Sequence, residues 1–488
     1  QADLSPVPEE PIVKMHVQVL TADERAQVHE RTLHILSRTG VRVDSSLGRE
    51  HLLAAGAEVD ALSHIVRFPR ALVEESLRLA PKRFVLGARR PDWDLSMNTG
   101  DCTLLIDGEA RFVLDRGTDR RRLGTLQDWL EATRLIDALD EIGVYWRMVD
   151  ASDSGDSMAD FVSLLCTLFR NFSKHVQEPI SRPEQAPWLL EVLQVVFGDR
   201  ETIRRRHPLS FLLCPQSPLI IEGPHTDAYL ALAGWDIPVA IMPMPLRGAT
   251  APASLISTVL VANCEVLAAL CLLQAAAPGT PVIYAPCIAT MDPRSGRYSG
   301  GAIAGGLGGV ATTEMARYYD LPAESSGIGT DQWVPGIQAG YERALNGLLT
   351  TLACPDILVG PGLLGGSMIL SLGQLLIDVE MYRMSRRARD GIATRDELWL
   401  EDVIRSAGPG GHFLVEPSTI DLIRSEGWYI STFGVHDSFE KWEAAGRPRL
   451  LESARQRVDE ILAAHQPLSF DPDTERELER IQHRAAEV

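Results

Sequence analysis

The sequence predicts a large α/β protein in which βα units close into a (β/α)₈ barrel behind an N-terminal cap. From about residue 125 onward, short apolar segments alternate regularly with helical segments, and such a series of βα units is typical of a parallel sheet. No glycine-rich phosphate turn follows the first of these strands, although an open doubly wound sheet usually has one. The chain has 488 residues, which is longer than a single hydrophobic core usually accommodates, so a large barrel or two domains is expected.

Seven apolar segments are predicted to be barrel strands: Ile142–Met148, His175–Pro179, Ser210–Pro215, Pro238–Met244, Pro281–Pro286, Ala323–Ile328 and Ile357–Gly360. An eighth strand is expected near His412–Val415 or Trp428–Ser431. Active sites of such barrels lie at the carboxyl ends of the strands, so these ends select the candidate site residues. The most apolar stretch, 249–278, is interrupted by polar residues, which favours a buried barrel helix over a membrane span.

The first 120 residues are expected to form a cap of helices and a small antiparallel sheet. Thr21 and Glu24 have the spacing of a capping box, and the helix that follows should end at Gly40. Further along, the apolar run 104–106 is followed by Asp107-Gly108, which is a hairpin signal. We therefore expect a cap at 1–120, a barrel domain at 121–470 and a helical tail at 471–488.

The net charge and the cysteine content of the sequence argue against several classes of function. A formal net charge of −19 argues against nucleic acid, which needs a basic surface, and against an anionic membrane surface. Seven cysteines without a C-x-x-C pair indicate neither a zinc ribbon nor a disulfide framework, and reduced thiols fit a cytoplasmic protein. The segment Gln1 to Lys14 has no apolar signal core.

Two patterns have both a functional and a structural interpretation. The glycine-rich segment Gly300–Gly309 lacks the flanking strand and the Gly-Lys-Ser/Thr of a nucleotide loop, so close helix packing or approach of a large flat ligand is the better explanation. His175, Cys214 and Cys287 lie at predicted strand ends, so a zinc site is conceivable. Buried cysteine is common in apolar strands, however, and no metal is expected.

Aromatic residues are scarce, and four of them lie on or after predicted strands: Trp146, Tyr284, Tyr298 and Trp333. A ring of aromatic faces suits a quaternary ammonium, which is attracted to the π-electrons without needing a hydrogen bond. We call this predicted set the cation cage. The alternative for each aromatic taken singly is ordinary core packing.

Asp378 and Glu380 occur in a mostly apolar predicted helix, one turn after Gln374. Acidic residues in such a helix are unusual unless they are paired or functional. The structural alternative is pairing with arginines of the same helix: Arg383, Arg386 or Arg387.

Several stretches in order along the chain resemble the non-pyrrolysine branch of the trimethylamine methyltransferase family, which includes glycine betaine methyltransferase. The matching segments cover nearly the whole chain, from about 19 to 475, and are Thr32–Leu36 with Gly40–Val43, Met242–Met244 with Gly248–Pro252, Pro281–Tyr284, Gln338–Glu342 and Gly408–Leu414. Each segment alone is weakly specific. Their occurrence in family order makes the set more specific.

The resemblance implies a TIM barrel that transfers a methyl group from a methylated amine to cobalt. The acceptor would be cob(I)alamin, which becomes methylcobalamin, supplied by a partner corrinoid protein, with no cofactor permanently bound. An acceptor of this size needs an open barrel mouth, which the loops at 300–309 and 360–366 could provide. A homodimer is also expected.

Departures from the family pattern narrow the expected substrate. Members that use trimethylamine have pyrrolysine in the segment matching Asp331–Pro335, where this chain has only standard residues. The resemblance therefore points to a quaternary amine such as glycine betaine, proline betaine or carnitine. Val359-Gly360 stands where some members have a polar pair.

Roles for the remaining candidate residues follow from this hypothesis. Gln332, Gln338 and His412 would orient a substrate carboxylate or hydroxyl, and Asp378 or Glu380 would support the site. Two alternatives stay open: methyl transfer directly to a folate, and a betaine-binding protein without turnover.

Overall fold

The centre of the molecule is an eight-stranded parallel barrel. The computed structural model describes residues 15–178, 180–424 and 428–487. The barrel strands are β1 (Thr103–Leu105), β2 (Ile142–Tyr145), β3 (His175–Gln177), β4 (Leu209–Leu213), β5 (Val239–Ile241), β6 (Val282–Tyr284), β7 (Glu324–Ser326) and β8 (Ile357–Val359). Consecutive strands from β1 to β6 pair in parallel, β8 pairs with both β1 and β7, and a bridge between Tyr284 and Ala323 brings β6 to β7.

Each strand is followed by a helix that packs on the outside of the barrel. These helices are α1 (Leu126–Asp137), α2 (Met158–Asn171), α3 (Ala186–Phe197), α4 (Gly223–Leu230), α5 (Leu255–Ala276), α6 (Ile303–Tyr318), α7 (Ile337–Leu352) and α8 (Leu372–Asp390). A short helix, Arg200–Arg206, follows α3. The predicted βα alternation from residue 142 onward is therefore confirmed.

Helix α5 is the apolar stretch that the sequence placed inside the protein. By length and composition it could cross a membrane, and it is the only such helix among residues 15–178, 180–424 and 428–487, but 72% of its apolar window is buried. Its polar residues are paired: Asn263 donates to Thr32 Oγ1 and Tyr319 Oη, and Glu265 accepts from Ser217 Oγ at 2.8 Å. The prediction of a buried barrel helix is confirmed.

The predicted position of the eighth strand is wrong. Residues 412–415 and 428–431 form no strand, and the missing strand is β1, which precedes the other seven in the chain. Leu104 pairs with Leu358 of β8 and with Ile142 of β2. A long connection with the strands Phe112–Leu114 and Arg121–Leu123 separates β1 from α1, so the alternation of strand and helix is not visible in the sequence here. Asp107-Gly108 is therefore the carboxyl end of β1 and no hairpin, and Pro179 lies outside the described residues.

The N-terminal segment packs helices and a small sheet on the barrel. Its helices are Ala22–Arg38, Ser46–Ala54 and Arg70–Leu79, and its strands are Val41–Val43, Glu58–Val59 and Ile65–Arg67. The predicted capping box is present, since the Thr21 N–H donates to Glu24 Oε2 at 2.8 Å. The strand Val41–Val43 pairs with Ile220–Ile221, which fixes this segment to the β4–α4 connection. Barrel strand β1 lies inside 1–120, the range expected for the cap, and residues 1–14 lie outside the described part.

After α8 the chain forms an exposed segment, and the helices that follow this segment pack on the barrel again. We call residues 391–449 the C-terminal arm. It contains helices Glu401–Ala407, Pro417–Ile423 and Phe439–Ala444, and none of its described residues is buried. The last two helices do pack on the barrel: Leu450–Ala464 contacts α8 and α1, and Pro472–Ala486 contacts α2 and α3.

Candidate active site

A cavity of about 380 Å³ lies at the carboxyl ends of the barrel strands, which is where barrel enzymes place their active sites. Its walls come from the ends of β1, β2, β5, β6, β7 and β8 and from the loops that follow them. The lining side chains include Asp107, Glu109, Trp146, Met242, Met244, Cys287, Ile288, Tyr298, Ser326, Ile328, Asn346, Val359 and Ser367. The remaining wall is largely glycine backbone.

Only two lining residues are charged, and both are acidic. Asp107 and Glu109 follow β1, and no lysine, arginine or histidine is among the residues that line the cavity. The Asp107 carboxylate accepts from the Gly108 N–H at 3.0 Å and from the Ser367 hydroxyl. Partial burial raises the pKa of Asp107 to about 6, so the group is ionised at neutral pH. The cavity therefore attracts cations.

Two aromatic side chains face the cavity, and glycines allow them to lie close to the backbone. A Cβ on Gly108 would come within 2.8 Å of the Trp146 ring, and one on Gly366 would come within 3.0 Å of the Tyr298 ring. Gly366 also has φ +67°, a conformation that favours glycine. The buried Trp146 Nε1 has no hydrogen-bond partner among the described groups. Trp146 and Tyr298 thus occupy the position predicted for the cation cage.

The expectation that Tyr284 faces the cavity is wrong. Side chains alternate along a strand, and on β6 the neighbouring Ile283 packs inside the barrel while Tyr284 points outward. Its hydroxyl donates to Asn263 Oδ1 of α5 at 2.8 Å. Tyr284 is a core residue between barrel and helix.

The loop after β7 forms part of the rim and contains Gln332, Trp333 and, at the start of α7, Gln338. Trp333 is 44% exposed and packs on Gly365, where a Cβ would lie 2.4 Å from its ring. Gln338 Nε2 donates to Glu342 Oε1 at 2.9 Å. None of the three lines the cavity.

The carboxylates of Asp331, in the loop after β7, and of Glu342, on α7, hold this rim in place. Asp331 accepts from the Gly300 N–H at 2.8 Å and from the Ser299 hydroxyl, which joins the loops after β6 and β7. Glu342 accepts from the Asp331 N–H at 3.0 Å. The position of the rim therefore depends on half-buried hydrogen bonds between carboxylates and backbone N–H groups.

The residues predicted to be catalytic, Asp378, Glu380 and His412, lie outside the cavity. Asp378 is fully buried in α8 and forms an ion pair with Arg343 Nη1 at 2.6 Å. Glu380 accepts from the Thr432 N–H at 3.0 Å and lies 3.7 Å from Arg383. His412 is exposed on the C-terminal arm. The rule that barrel active sites lie at the carboxyl ends of the strands does not select these residues, because none of them lies at the end of a barrel strand.

Asp378 nevertheless supports the site through Arg343. The Arg343 guanidinium donates to the carbonyls of Ile328 at 2.9 Å and Gly360 at 3.3 Å, and both residues line the cavity. The partner of Asp378 is therefore on α7, not among the arginines of its own helix that the sequence suggested. Glu380 does pair with Arg383, as the structural alternative expected.

The glycine-rich segment lies against neighbouring groups. A Cβ on Gly308 would come within 2.6 Å of Ile288, and one on Gly309 within 2.7 Å of Thr350 on α7. Gly300, Gly305 and Gly306 also line the cavity. The prediction of close packing is confirmed.

His175, Cys214 and Cys287 do not form a metal site. The two ring nitrogens of His175 contact the Gly87 carbonyl and the Ser210 hydroxyl, so neither is directed at a thiol. Across the described ranges, no group of three or more His, Cys, Asp and Glu residues is arranged to hold a metal ion.

Sequence reasoning missed the acidic side of the cavity. Asp107 and Glu109 directly follow the apolar run Leu104–Ile106, which is the signal of a strand end. The segment was interpreted as a hairpin because it precedes the regular βα rhythm. Ser326 and Asn346 were missed because single polar residues on a strand and a helix give no distinctive pattern.

The family model described as "Trimethylamine methyltransferase (MTTB)" matches residues 2–488. The chain belongs to the trimethylamine methyltransferase family. Its relatives in this family are named methyltransferases, and the chain is a methyltransferase of the same family. The standard residues at 331–335 are consistent with its non-pyrrolysine branch.

Two curated relatives span almost the full length of the chain. The trimethylamine methyltransferase MttB of Desulfitobacterium hafniense is 31% identical over 91% of this chain and 89% of its own. The glycine betaine methyltransferase of Desulfitobacterium hafniense is 29% identical over 96% of this chain and 98% of its own. Among solved structures, the monomethylamine methyltransferase MtmB of Methanosarcina barkeri aligns over 97% of this chain and 88% of its own, at 10% identity and a TM-score of 0.49.

Proposed function

We propose that this family member removes a methyl group from a quaternary amine and passes it to cob(I)alamin on a partner corrinoid protein. The observation that supports this is the composition of the cavity wall: two carboxylates, two aromatic faces and no basic side chain. Such a wall attracts a permanent cation, while an ammonium without N–H groups needs no hydrogen-bond acceptor. Glycine betaine, proline betaine and carnitine carry such an ammonium and are the candidates from the family resemblance, although the cavity wall offers no basic partner for the carboxylate that each also carries.

The residues of this chain would act mainly by positioning and desolvation. Trp146 and Tyr298 would contact the ammonium, and Asp107 and Glu109 would supply opposite charge. A quaternary ammonium leaves as a neutral amine, so the cavity needs no general acid. Rate enhancement would come from orienting the methyl group toward the open mouth and from excluding water.

The rim of the cavity fits a large apolar acceptor. Exposed apolar side chains lie around the mouth in the segments that follow β5, β6 and β7, namely Met244, Tyr298, Trp333, Val334 and Ile337. Exposed apolar clusters of this kind mark interaction surfaces. The corrinoid, when bound, supplies the methyl-accepting cobalt. The partner protein would dock over this rim, and the free state of all seven cysteines fits the cytoplasmic location that we propose.

The decisive experiment combines the purified protein with quaternary amines and a reduced corrinoid protein. We expect demethylated amine to accumulate only when both the amine and the corrinoid protein are present. A parallel reaction with tetrahydrofolate in place of the corrinoid protein tests the folate alternative. Binding of betaines without methyl transfer to either acceptor would contradict the proposal and indicate a binding protein without turnover.

Trp333 at the rim provides a variant for the same assay. Trp333→Ala should abolish demethylation while the melting temperature stays within a few degrees, because the side chain is nearly half exposed. Trp399→Ala, on the C-terminal arm, is the control because Trp399 is also exposed, at 59%, and it should keep full activity. Unchanged turnover of the Trp333 variant would remove this residue from the site.

A further inference from the structure

A buried carboxyl group lies inside the barrel, directly below the cavity. On β7, Ser326 lines the cavity, while the hydroxyl of Ser325 donates outward to the Gly309 carbonyl at 3.2 Å. Alternation along the strand therefore points Glu324 inward, one inward position and ~7 Å below Ser326. Glu324 is 1% exposed, and its Oε2 has no hydrogen-bond partner among the described groups.

The other oxygen of Glu324 ends a continuous chain of four hydrogen-bond contacts through the barrel. Gln177 Nε2 lies 3.2 Å from Glu324 Oε1, and Gln177 Oε1 lies 3.2 Å from Ser210 Oγ. Ser210 Oγ lies 2.9 Å from His175 Nε2, and His175 Nδ1 lies 3.0 Å from the Gly87 carbonyl oxygen. This chain of hydrogen-bond contacts runs from the floor of the cavity to the opposite end of the barrel.

Each of the four contacts needs one hydrogen, and counting them fixes the protonation state. The Gly87 carbonyl only accepts, so a neutral His175 must carry its hydrogen on Nδ1. Ser210 must then donate to His175 Nε2. The Gln177 amide must donate to Ser210, which a 180° turn of the amide allows without changing its shape. The last hydrogen can come only from a protonated Glu324.

The alternative pattern puts a negative charge on Glu324 and a positive charge on His175. Both groups are fully buried, and burial opposes both charges: it raises the pKa of Glu324 to about 8 and lowers the pKa of His175 to about 3. The titratable neighbours Cys214 and Cys287 remain neutral thiols, because burial raises their pKa to about 12 and about 11. Glu324 is therefore a neutral acid in the empty enzyme.

We propose that Glu324 is a reserve counter-charge for the cation in the cavity, protonated in the empty enzyme and ionised when a quaternary ammonium binds above it. This inference rests on the proposed function, since it requires a cationic ligand. On binding, the O–H bond of Glu324 breaks, its electron pair stays on the carboxylate, and the proton passes to bulk water. His175 does not take the proton because it is much the weaker base at this site.

Ionisation of Glu324 costs one hydrogen bond of the chain of contacts, and the bound cation offsets this loss. The Gln177 amide turns so that Nε2 donates to the Glu324 carboxylate and Oε1 accepts from Ser210. The contact between Ser210 and His175 is then left without a hydrogen. A neutral ligand of the same shape has no charge with which to compensate this loss, so Glu324 would help the enzyme to distinguish a quaternary ammonium from its neutral analogues.

Calorimetric titration with tetramethylammonium tests the proposal, because this cation has no proton of its own to release. At pH 7.5 about three quarters of the Glu324 carboxyls are protonated, given a pKa of about 8, whereas Asp107, with a pKa of about 6, is already ionised. Comparing binding enthalpies in phosphate and Tris buffers counts the protons released. We expect about 0.5 to 0.7 protons per cation bound for the wild-type protein.

Glu324→Gln is the informative variant, since its amide keeps a donor toward Gln177 but cannot ionise. It should bind tetramethylammonium about tenfold more weakly and release no proton, while Ser325→Ala on the outer face of β7 should match the wild-type protein. Cation binding by the wild-type protein without proton release would overturn this inference and leave the proposed function standing. Absence of any quaternary ammonium binding would overturn both, and the wild-type measurement decides the question even if Glu324→Gln fails to fold.

Discussion

At the scale of single residues, the two carboxylates of the cavity differ in how strongly water screens them. Asp107 is partly buried and held by Ser367 and the Gly108 N–H, whereas Glu109 is exposed. Charge interactions weaken steeply as solvent access increases. The two acids should therefore contribute unequally to binding of a cation.

Substitutions that remove one charge at a time test this difference. Asp107→Asn should raise the KM for a quaternary amine about 10- to 100-fold, because a charge in a water-poor cavity is lost. Glu109→Gln should raise it only about two- to threefold. Steady-state kinetics with the corrinoid partner measure both values, and equal effects of the two variants would contradict the assignment of Asp107 as the main counter-charge.

Tyr284 on β6 and Tyr298 in the connection after β6 should respond in opposite ways to substitution. Tyr284→Phe leaves Asn263 Oδ1 buried without its donor, which costs ~1–3 kcal/mol of unfolding free energy, and should leave kcat unchanged. Tyr298→Ala should lose substrate binding with little loss of stability, since Tyr298 is 46% exposed. Denaturant titration and steady-state kinetics on both variants distinguish these outcomes. Loss of turnover in Tyr284→Phe would contradict the assignment of Tyr284 to the core and indicate that it contributes to the active site.

At the scale of elements, the ion pair between α7 and α8 controls the position of two loops that line the cavity. Arg343 and Asp378 are both completely buried, and removing one partner of a buried pair costs ~3–5 kcal/mol. Arg343→Met should therefore destabilise the protein and lower kcat/KM together, because the carbonyls of Ile328 and Gly360 lose their donor. Asp378→Asn provides the reciprocal variant.

The double variant Arg343→Met/Asp378→Leu separates stability from loop position. Replacing both charges by apolar groups should recover much of the unfolding free energy, whereas the loop carbonyls still lack a donor and kcat/KM should stay low. Urea denaturation and kinetics measure the two effects. Full recovery of activity in the double variant would show that the pair contributes stability alone.

The sequence predicted elements well where local patterns repeat and poorly where they do not. The βα alternation located β2 to β8 because each of these strands lies in a short segment that is followed by a helix. Strand β1 was not predicted because a separate small sheet stands between it and α1, so no helix follows it directly. Long-range pairing with Leu358 makes Leu104 a barrel residue, and that partner cannot be found from local pattern.

The same distinction applies to the candidate site. Trp146 and Tyr298 were found because strand ends converge at one face of a barrel. Tyr284 was misplaced because its strand is apolar on both faces, so the sequence does not show which way its side chain points. The pairing of Asp378 with Arg343 joins two helices and depends on their packing, which no sequence spacing records.

At the scale of the whole molecule, the C-terminal arm exposes an unusual amount of apolar surface. Twelve large apolar side chains of the arm are at least 43% exposed: Ile392, Trp399, Ile404, Phe413, Leu414, Val415, Ile420, Ile423, Trp428, Ile430, Val435 and Phe439. At roughly 100 Å² each they amount to ~1,200 Å², more than the ~800 Å² per partner of a standard interface. We propose that a second copy of the chain covers the arm, because a transient partner would leave it exposed most of the time.

Light scattering coupled to gel filtration tests this proposal. The wild-type protein should elute at twice the chain mass of 53.6 kDa or a higher multiple. Leu414→Asp/Val415→Asp should shift the mass toward 53.6 kDa, because the two most exposed neighbouring side chains of the arm become charged. Ile337→Asp, which is 90% exposed at the barrel mouth, should leave the mass unchanged. A wild-type protein that stays at 53.6 kDa at high concentration would contradict the proposal.

The pairing of the first barrel strand with the last has a consequence for how the chain is made. Leu104 leaves the ribosome long before its partner Leu358, and synthesis at ~5–20 residues per second separates the two by tens of seconds. Throughout that interval the growing sheet has two open edges, and exposed strand edges invite pairing with other chains. Nascent chains that stop before residue 357 cannot close the ring, so a cell that makes this enzyme must protect an unfinished sheet until β8 has been translated.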